Sequence, residues 1–235
     1  MREQLSDSIR MAIFEGKLRP GDALVESRLA REMNVGQPTL REALQVLEHE
    51  GLVTRVARKG IFVTELSAEN IESIFLLRAE LEALAVAWAA GKASAEQLQP
   101  CYALLDGMKD AALRGDVREY LRVDLQLHRS LWQLSGNSYL EKALEPVMLP
   151  LVAFSQITSK NPEPEQYLKN IDGHRELIEL IREASPARAR RSAYDIIMAL
   201  KDFSLTKLRV TPNGGGSLGG GNSSRGNGRH ENNER

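Results

Sequence analysis

The chain has 235 residues, and its 31 lysines and arginines almost balance its 32 aspartates and glutamates, which gives a formal net charge of −1. A hydrophobic fraction of 42% supports a packed core and excludes a wholly disordered chain, while the single cysteine, Cys101, excludes a disulfide framework and a cysteine-rich zinc site. No N-terminal stretch has the pattern of a signal peptide and no apolar run approaches the roughly 18 residues that cross a bilayer, so we expect a cytoplasmic protein without a membrane partner.

Two short helices are predicted first. Leu5, Ile9 and Ile13 recur at helical spacing, and the helix that carries them is expected to close at a glycine. The second helix is expected to be capped by Ser27 and to end at Asn34.

The third predicted helix opens at Pro38 and ends at Gly51. Its apolar stripe consists of Leu40, Ala43, Leu44 and Leu47. At about 100° per residue, the opposite face presents Thr39, Glu42 and Gln45, with Arg41 on its flank. This helix therefore has one buried side and one polar side.

Two strands follow, joined by a turn at residues 57–60. Three helices and a hairpin in this order are typical of a winged helix-turn-helix, whose third helix enters the major groove while the hairpin, or wing, lies along the phosphates. The hairpin contains Arg55, Arg58 and Lys59 and no acid, although residues 1–66 carry ten basic and ten acidic residues. We therefore predict a DNA-binding domain; a winged helix that binds a protein would show the same apolar stripes.

Several short motifs of this domain resemble, in order and spacing, the GntR family of bacterial transcription regulators. They are Leu18-Arg19-Pro20-Gly21, Leu24-Val25-Glu26, Leu29-Ala30, Pro38-Thr39-Leu40-Arg41-Glu42-Ala43-Leu44, Leu47-Glu48, Glu50-Gly51-Leu52-Val53 and Gly60-Ile61-Phe62-Val63. The resemblance implies a homodimer that binds operator half-sites, with Arg41 at the position of a DNA-contacting arginine. The chain departs from the family at Gly36-Gln37, where Ser or Thr followed by Arg is usual, and Gln37 is a candidate partner for adenine.

The candidate DNA-binding residues are Gln37, Thr39, Arg41, Gln45, Arg58, Lys59 and Gly60. For Arg41 the alternative to a groove contact is an ion pair with a neighbouring acid such as Glu42 or Glu48.

Residues 67–210 are predicted to form an all-helical domain. Its six predicted helices are 67–91, 94–114, 116–135, 138–158, 163–184 and 186–209. The expected fold class is thus mainly α, a winged helix-turn-helix followed by a six-helix effector-binding bundle with room for a core cavity. Residues 211–235 contain 8 of the 18 glycines and are predicted to be a disordered tail.

Polar side chains fall on the predicted apolar stripes of this bundle. The stripe of the first helix is predicted to comprise Ile74, Leu77, Leu81, Leu84, Ala85 and Trp88. Arg78 falls within it, and a buried guanidinium needs an anion. The anion is either an internal carboxylate, from Glu80, Glu82 or Asp124, or the carboxylate of a bound ligand.

Asp124 and His128, one turn apart, fall on the stripe of the third bundle helix, and His174 falls on that of the fifth. Imidazole and carboxylate ligands together suit Zn, Mn or Ni, so these residues are candidate metal ligands. The alternative is that Asp124 only forms a hydrogen bond with His128.

This arrangement is similar to the FCD ligand-binding domain of one GntR subfamily, and six helices resemble its VanR-like branch. The matching residues are Arg78-Ala79-Glu80-Leu81-Glu82, Ala89-Ala90, Asp124, His128, Ser135-Gly136-Asn137 and His174-Arg175. The resemblance implies a divalent metal held by one aspartate and three histidines, and an effector that is a small carboxylate or a sugar acid. The fourth ligand position holds Ile196. Either three ligands suffice, or the pocket is metal-free and Arg78, His128 and His174 bind the effector directly.

The sequence therefore predicts a dimeric regulator, acting as a repressor, whose affinity for operator DNA is controlled by a small effector. A hydrolase that uses the Asp-His-His site is a weaker alternative, because no nucleophile or general base is placed beside it and the winged helix would have no role. A helical interaction module that does not bind DNA is the third alternative.

Overall fold

The computed structural model describes residues 2–158 and 164–210; the predicted disordered tail, 211–235, lies outside these ranges. The chain begins with a winged helix-turn-helix. Its elements in order are α1 (Arg2–Phe14), α2 (Glu26–Glu32), α3 (Gln37–His49), β1 (Val53–Val56) and β2 (Gly60–Val63). The two strands pair antiparallel, and an isolated bridge joins Ala23 to Phe62 of the wing.

The ends of these helices largely follow the prediction. Asn34 and Gly51 have positive φ angles of 53° and 72°, which end α2 and α3 in the left-handed conformation. The N-terminus of α2 differs from the prediction. The helix is preceded by Val25 in an extended conformation, and Ser27 lies within its first turn, so Ser27 is not the cap.

Residues 68–210 contain the six predicted helices, each bounded within two residues of its prediction. They are α4 (Ala68–Ala90), α5 (Ala95–Leu113), α6 (Val117–Leu134), α7 (Ser138–Thr158), α8 (Pro164–Arg182) and α9 (Pro186–Val210). Capping boxes start two of them: Ser67 pairs with Asn70 at α4, and Ser94 pairs with Gln97 at α5. The fold is therefore a winged helix-turn-helix followed by an all-helical bundle.

The face of α4 that is buried differs from the predicted stripe. Leu77 is 50% exposed and Trp88 is 38% exposed, whereas Ile71, Phe75 and Arg78 are buried. The helix packs along α9 and also contacts α6, α7 and α8. Because apolar residues occur on every side of α4, their periodicity does not select the buried side. The predicted burial of Arg78 is confirmed.

None of the helices within residues 2–158 and 164–210 combines the length and apolar character needed to cross a bilayer.

Candidate functional site

The third helix and the wing present the candidate DNA-binding residues to solvent. Thr39 is half-buried, and the other six are exposed: Gln37, Arg41, Gln45, Arg58, Lys59 and Gly60. Four-residue spacing places the side chains of Gln37, Arg41 and Gln45 on one face of α3. The structure thus supplies a polar, solvent-facing helix face next to a basic hairpin turn.

Arg41 is held by a partner on a neighbouring helix. Its Nε donates a hydrogen bond to Oε2 of Glu26 at 2.5 Å, which ties α3 to α2. The ion pair considered as the alternative is therefore present, but its acid is Glu26 and neither Glu42 nor Glu48. The side chain of Arg41 remains 59% exposed, so the guanidinium is accessible while it is paired.

Glu26 also reaches the wing. Its Oε1 lies 3.8 Å from Arg55 of β1, and the Nε of Arg55 lies 3.3 Å from Glu48 of α3. Glu26 and Arg55 were not among the candidates, because pairing between α2, α3 and β1 depends on tertiary structure. The outcome is a short chain of ion pairs across the exposed surface that carries Arg41.

A second group of polar residues is buried inside the helical bundle. Its members are Arg78 and Glu82 of α4, Asp124 and His128 of α6, and His174 of α8, each between 2% and 7% exposed. The structure brings together all four residues predicted from the helix stripes. We refer to these five residues as the buried polar cluster.

Glu82 connects the cluster. The Nε of Arg78 donates to Oε1 of Glu82 at 2.7 Å, and Nδ1 of His128 lies 2.8 Å from Oε2. Burial alone raises the pKa of Glu82, but the neighbouring Arg78 and His128 outweigh that effect and lower it to about 2. The anion for Arg78 is therefore Glu82, one of the three internal carboxylates considered above. Its spacing of four residues from Arg78 on one helix was the available signal.

The two histidines face each other. Nδ1 of His174 lies 2.9 Å from the carbonyl oxygen of Asn170, which places the proton of this ring on Nδ1. The two Nε2 atoms are 3.2 Å apart, and Nη2 of Arg78 donates to Nε2 of His128 at 3.1 Å. Burial lowers the pKa of His174 to about 4, which keeps this ring neutral at pH 7.

Three members of the cluster have the arrangement of metal ligands. Ligand atoms of Asp124, His128 and His174 all lie within 4.8 Å of one another. Oδ1 of Asp124 is buried and has no hydrogen-bond partner in the described part of the chain. An unsatisfied carboxylate oxygen beside two Nε2 lone pairs fits a divalent cation. Ile196 lies against Gly173, next to His174, and supplies hydrocarbon rather than a fourth ligand.

A cavity of about 90 Å³ adjoins the cluster and is partly open. Arg78, Asp124 and His128 line it, whereas His174 lies behind them and is not among the described residues that form its wall. Five helices contribute to the wall, namely α4, α6, α7, α8 and α9. The arrangement can hold a small ligand beside a cationic and a metal-ligating group.

Comparison with known proteins identifies both parts of the chain. Residues 1–63 match the model of the bacterial regulatory proteins of the gntR family, and residues 73–198 match the FCD domain. The chain belongs to the GntR family of transcription regulators. It carries the FCD domain of that family, as the sequence motifs indicated, and its relatives are regulators rather than enzymes.

Relatives of this GntR regulator align over most of its length. The HTH-type transcriptional regulator YdhC of Bacillus subtilis is 28% identical over 80% of this chain and 84% of its own. The gluconate operon transcriptional repressor of Bacillus licheniformis is 28% identical over 74% and 72% of the two chains. The structure of McbR/YncC from E. coli has a TM-score of 0.75 at 19% identity, covering 88% of this chain and 98% of that one, and so shares the fold.

Proposed function

We propose that this GntR regulator is a homodimeric repressor whose affinity for operator DNA is set by a small acidic effector in the cavity of its helical domain. In this proposal residues 1–66 bind DNA, and residues 67–210 bind the effector and form the dimer. Gln37, Thr39, Arg41, Gln45, Arg58, Lys59 and Gly60 contact the operator.

The observation that carries this proposal is that α7 contacts both the cavity and the winged domain. Met148, Leu151 and Val152 of α7 line the cavity. On the winged side, a Cβ placed on Gly51 would lie 3.0 Å from the carbonyl oxygen of Pro146 and 3.1 Å from Cγ of Pro150. A shift of α7 caused by a ligand would therefore press directly on the turn that follows α3.

A second contact supports the same coupling. Arg118 of α6 lies 3.0 Å from Glu15, at the end of α1. The groove beside this ion pair contains Phe14 from the winged domain, and its wall includes Leu121 and Val152, which also line the cavity. Two side chains thus separate the effector cavity from the first helix of the DNA-binding domain. The effector changes operator affinity to the extent that it binds the two arrangements of this interface differently.

The deciding experiment measures binding of purified protein to duplex DNA from upstream of its own gene at several salt concentrations. We expect specific binding that weakens steeply with salt, because phosphate contacts release counterions. Absence of binding to that duplex and to other candidate operators would overturn the proposal.

Gly51→Ala tests the coupling through α7. Its Cβ would meet Pro146 and Pro150, and its φ of 72° strains any L-residue. We expect the variant to change the response of DNA binding to effector. Gly16→Ala is the matched control, because Gly16 has a φ of 68° but nothing within 4 Å of the added atom. Equal effects of both substitutions would show backbone strain alone and would contradict coupling at this contact.

The exposed face of α4 supports the proposed dimer. Leu77, Leu81, Leu84 and Trp88 follow one another at helical spacing, and none of the four is buried. A second copy of this face would cover the row. We expect Leu77→Glu to shift the protein from dimer to monomer in sedimentation, while Leu113→Glu, at another exposed leucine on α5, leaves the dimer intact. A monomeric wild-type protein would remove this part of the proposal.

We further propose that Asp124, His128 and His174 hold a divalent ion, Zn, Mn or Ni. One guanidinium, Arg78, faces two carboxylates, Glu82 and Asp124, and this balance disfavours an acidic ligand. A bound divalent ion would supply the missing positive charge and open coordination positions. Nη2 of Arg78, which now donates to His128, would then be available to the acid group of the effector.

Elemental analysis of protein purified without chelator tests this site. We expect about one metal per chain and its loss in Asp124→Asn, since a carboxamide is a far weaker ligand for a divalent ion. Metal-free wild-type protein would overturn it and favour direct binding of the effector by Arg78, His128 and His174.

A further inference from the structure

The aromatic residues of the bundle converge on the cavity. The chain has five phenylalanines, five tyrosines and two tryptophans. Five of these residues line the cavity, one from each of the helices α4, α6, α7, α8 and α9: Phe75, Tyr120, Phe154, Tyr167 and Phe203. A residue type that makes up 5% of the chain thus surrounds a single small space.

The rings are arranged in contact with one another and with the cationic end of the cavity. The ring centroids of Tyr120 and Tyr167 are 4.4 Å apart, at an interplanar angle of 51°. The guanidinium carbon of Arg78 lies 5.6 Å from the centroid of Phe75. Aromatic faces and edges of this kind favour a planar ring over a saturated group of the same size, because ring quadrupoles interact at such distances.

Taken as a whole, the wall is more apolar and aromatic than polar, which limits the number of hydroxyl groups that a ligand can satisfy. Ten of the 17 lining residues are apolar or aromatic, including Met148 and Leu200. The hydroxyl of Tyr120 accepts a hydrogen bond from Asn170 at 2.8 Å, which leaves its own proton to donate. A sugar acid carries a hydroxyl on nearly every carbon, and each hydroxyl that lies against an apolar part of the wall would lack a partner, at a cost in affinity.

The size of the cavity sets an upper limit on the ligand. An enclosed apolar cavity of about 150 Å³ accommodates benzene. A cavity of about 90 Å³ is smaller than this, so one ring with small substituents fits only by extending through the open side, and a fused ring system or a long acyl chain is too large.

We propose that the effector is a small aromatic carboxylate, with its single ring among the five aromatic side chains and its acid group at the Arg78 end. This inference rests on the proposed function, because it names the ligand class of the same cavity. Of the two classes that the family resemblance implied, it selects a carboxylate with a planar ring over a sugar acid.

The test compares three acids on full-length wild-type protein loaded with Mn or Zn. Benzoate, cyclohexanecarboxylate and gluconate are titrated by calorimetry. We expect benzoate to bind about tenfold or more tightly than cyclohexanecarboxylate, which has the same acid group on a saturated ring, and gluconate to bind most weakly. Equal affinity for benzoate and cyclohexanecarboxylate, tighter binding of gluconate, or binding of none of the three overturns the proposal.

Variants locate the binding in the cavity. Phe154→Leu and Phe203→Leu keep apolar volume and remove one ring each, and we expect each to weaken benzoate several-fold while cyclohexanecarboxylate changes little. Tyr139→Leu is the control, because Tyr139 is 80% exposed on α7 and does not line the cavity. Unchanged benzoate binding in both cavity variants overturns the assignment.

Operator binding, measured on the same preparations, separates this inference from the proposed function. If gluconate releases DNA and benzoate does not, the proposed ligand class is wrong, but the proposed function as an effector-controlled regulator is still supported. If no duplex is bound, the proposed function fails whatever the acids do.

Discussion

Two arginine–glutamate pairs of similar length lie in opposite surroundings. Arg41 and Glu26 are 2.5 Å apart on the surface of the winged domain, with side chains 59% and 22% exposed. Arg78 and Glu82 are 2.7 Å apart in the bundle, with side chains 6% and 4% exposed. Water and salt screen the first pair and not the second, so distance alone says little about what either pair contributes.

The difference fits the roles proposed for the two pairs. Arg41 can leave Glu26 for a phosphate or a base at small cost, because water solvates both groups during the exchange. Arg78 cannot leave Glu82 without exposing two buried charges to an apolar environment. An acidic effector is therefore expected to add to the Arg78–Glu82 pair rather than replace Glu82.

The largest expected effect breaks the buried pair. Glu82→Gln leaves the Arg78 guanidinium without its counter-charge and removes the carboxylate beside His128. We expect the free energy of unfolding to fall by about 3–5 kcal/mol, measured by urea denaturation. Glu80→Gln is the control on the same helix, because its pair with Arg190 is exposed at 3.4 Å. Glu80→Gln should lower the free energy of unfolding by no more than about 0.5 kcal/mol. A similar decrease in both variants would contradict the difference drawn between buried and exposed pairs.

The next largest effect is the change in the free energy of unfolding with pH, measured on metal-free protein. The pKa of His174 is lowered from 6.5 to about 4 in the folded protein. As the pH drops from 6.5 towards 4, the unfolded chain therefore binds a proton at this histidine before the folded chain does, and the free energy of unfolding falls. At about 1.4 kcal/mol per pKa unit the loss is about 3 kcal/mol. Glu82, with a pKa of about 2 against 4.5, adds a further loss below pH 4.5.

Urea denaturation at pH 7 and pH 4 measures this loss, and His174→Gln should remove most of it because glutamine does not titrate in this range. No such dependence is expected from the exposed ion pairs of the winged domain. An equal loss in wild type and His174→Gln would assign the pH dependence to other groups.

Features that depend on local sequence patterns could be predicted, whereas features that depend on tertiary contacts could not. The six bundle helices and the burial of Arg78, Asp124, His128 and His174 followed from periodicity and from glycine and proline breaks. The buried face of α4 did not, because apolar residues surround that helix and packing against α9 decides its orientation. The side chains that complete a pair across elements, such as Glu26 with Arg41, depend on tertiary contacts that no local pattern encodes.

Glu82 and the aromatic wall illustrate the same limit within the site. Glu82 was only one of three carboxylates considered for Arg78, and although its four-residue spacing favoured it, the spacing alone did not exclude Glu80 or Asp124. The five aromatic residues lie on five helices, between Phe75 and Phe203, so their convergence becomes visible only in the folded bundle.

The third expected effect concerns recognition of DNA. Arg41→Ala should weaken specific operator binding by about 1–3 kcal/mol if Arg41 contacts a base, measured by fluorescence anisotropy. Arg28→Ala is the control, because Arg28 is an exposed arginine of α2 that pairs with Glu32. An equal loss on random duplex would show that Arg41 contacts a phosphate instead, and an equal loss in Arg28→Ala would show a general effect of charge.

The smallest expected effect gives the most direct comparison of the two pairs. Glu26→Gln should lower the free energy of unfolding by at most about 1 kcal/mol in 0.05 M salt, because exposed pairs contribute little. In 1 M salt, where the screening length is about 3 Å, that loss should nearly vanish, whereas most of the loss in Glu82→Gln should persist because salt screens a buried pair much less. A salt-independent loss in Glu26→Gln would mean that the Arg41 pair is structural, and Arg41 would then not be free to exchange its partner for DNA.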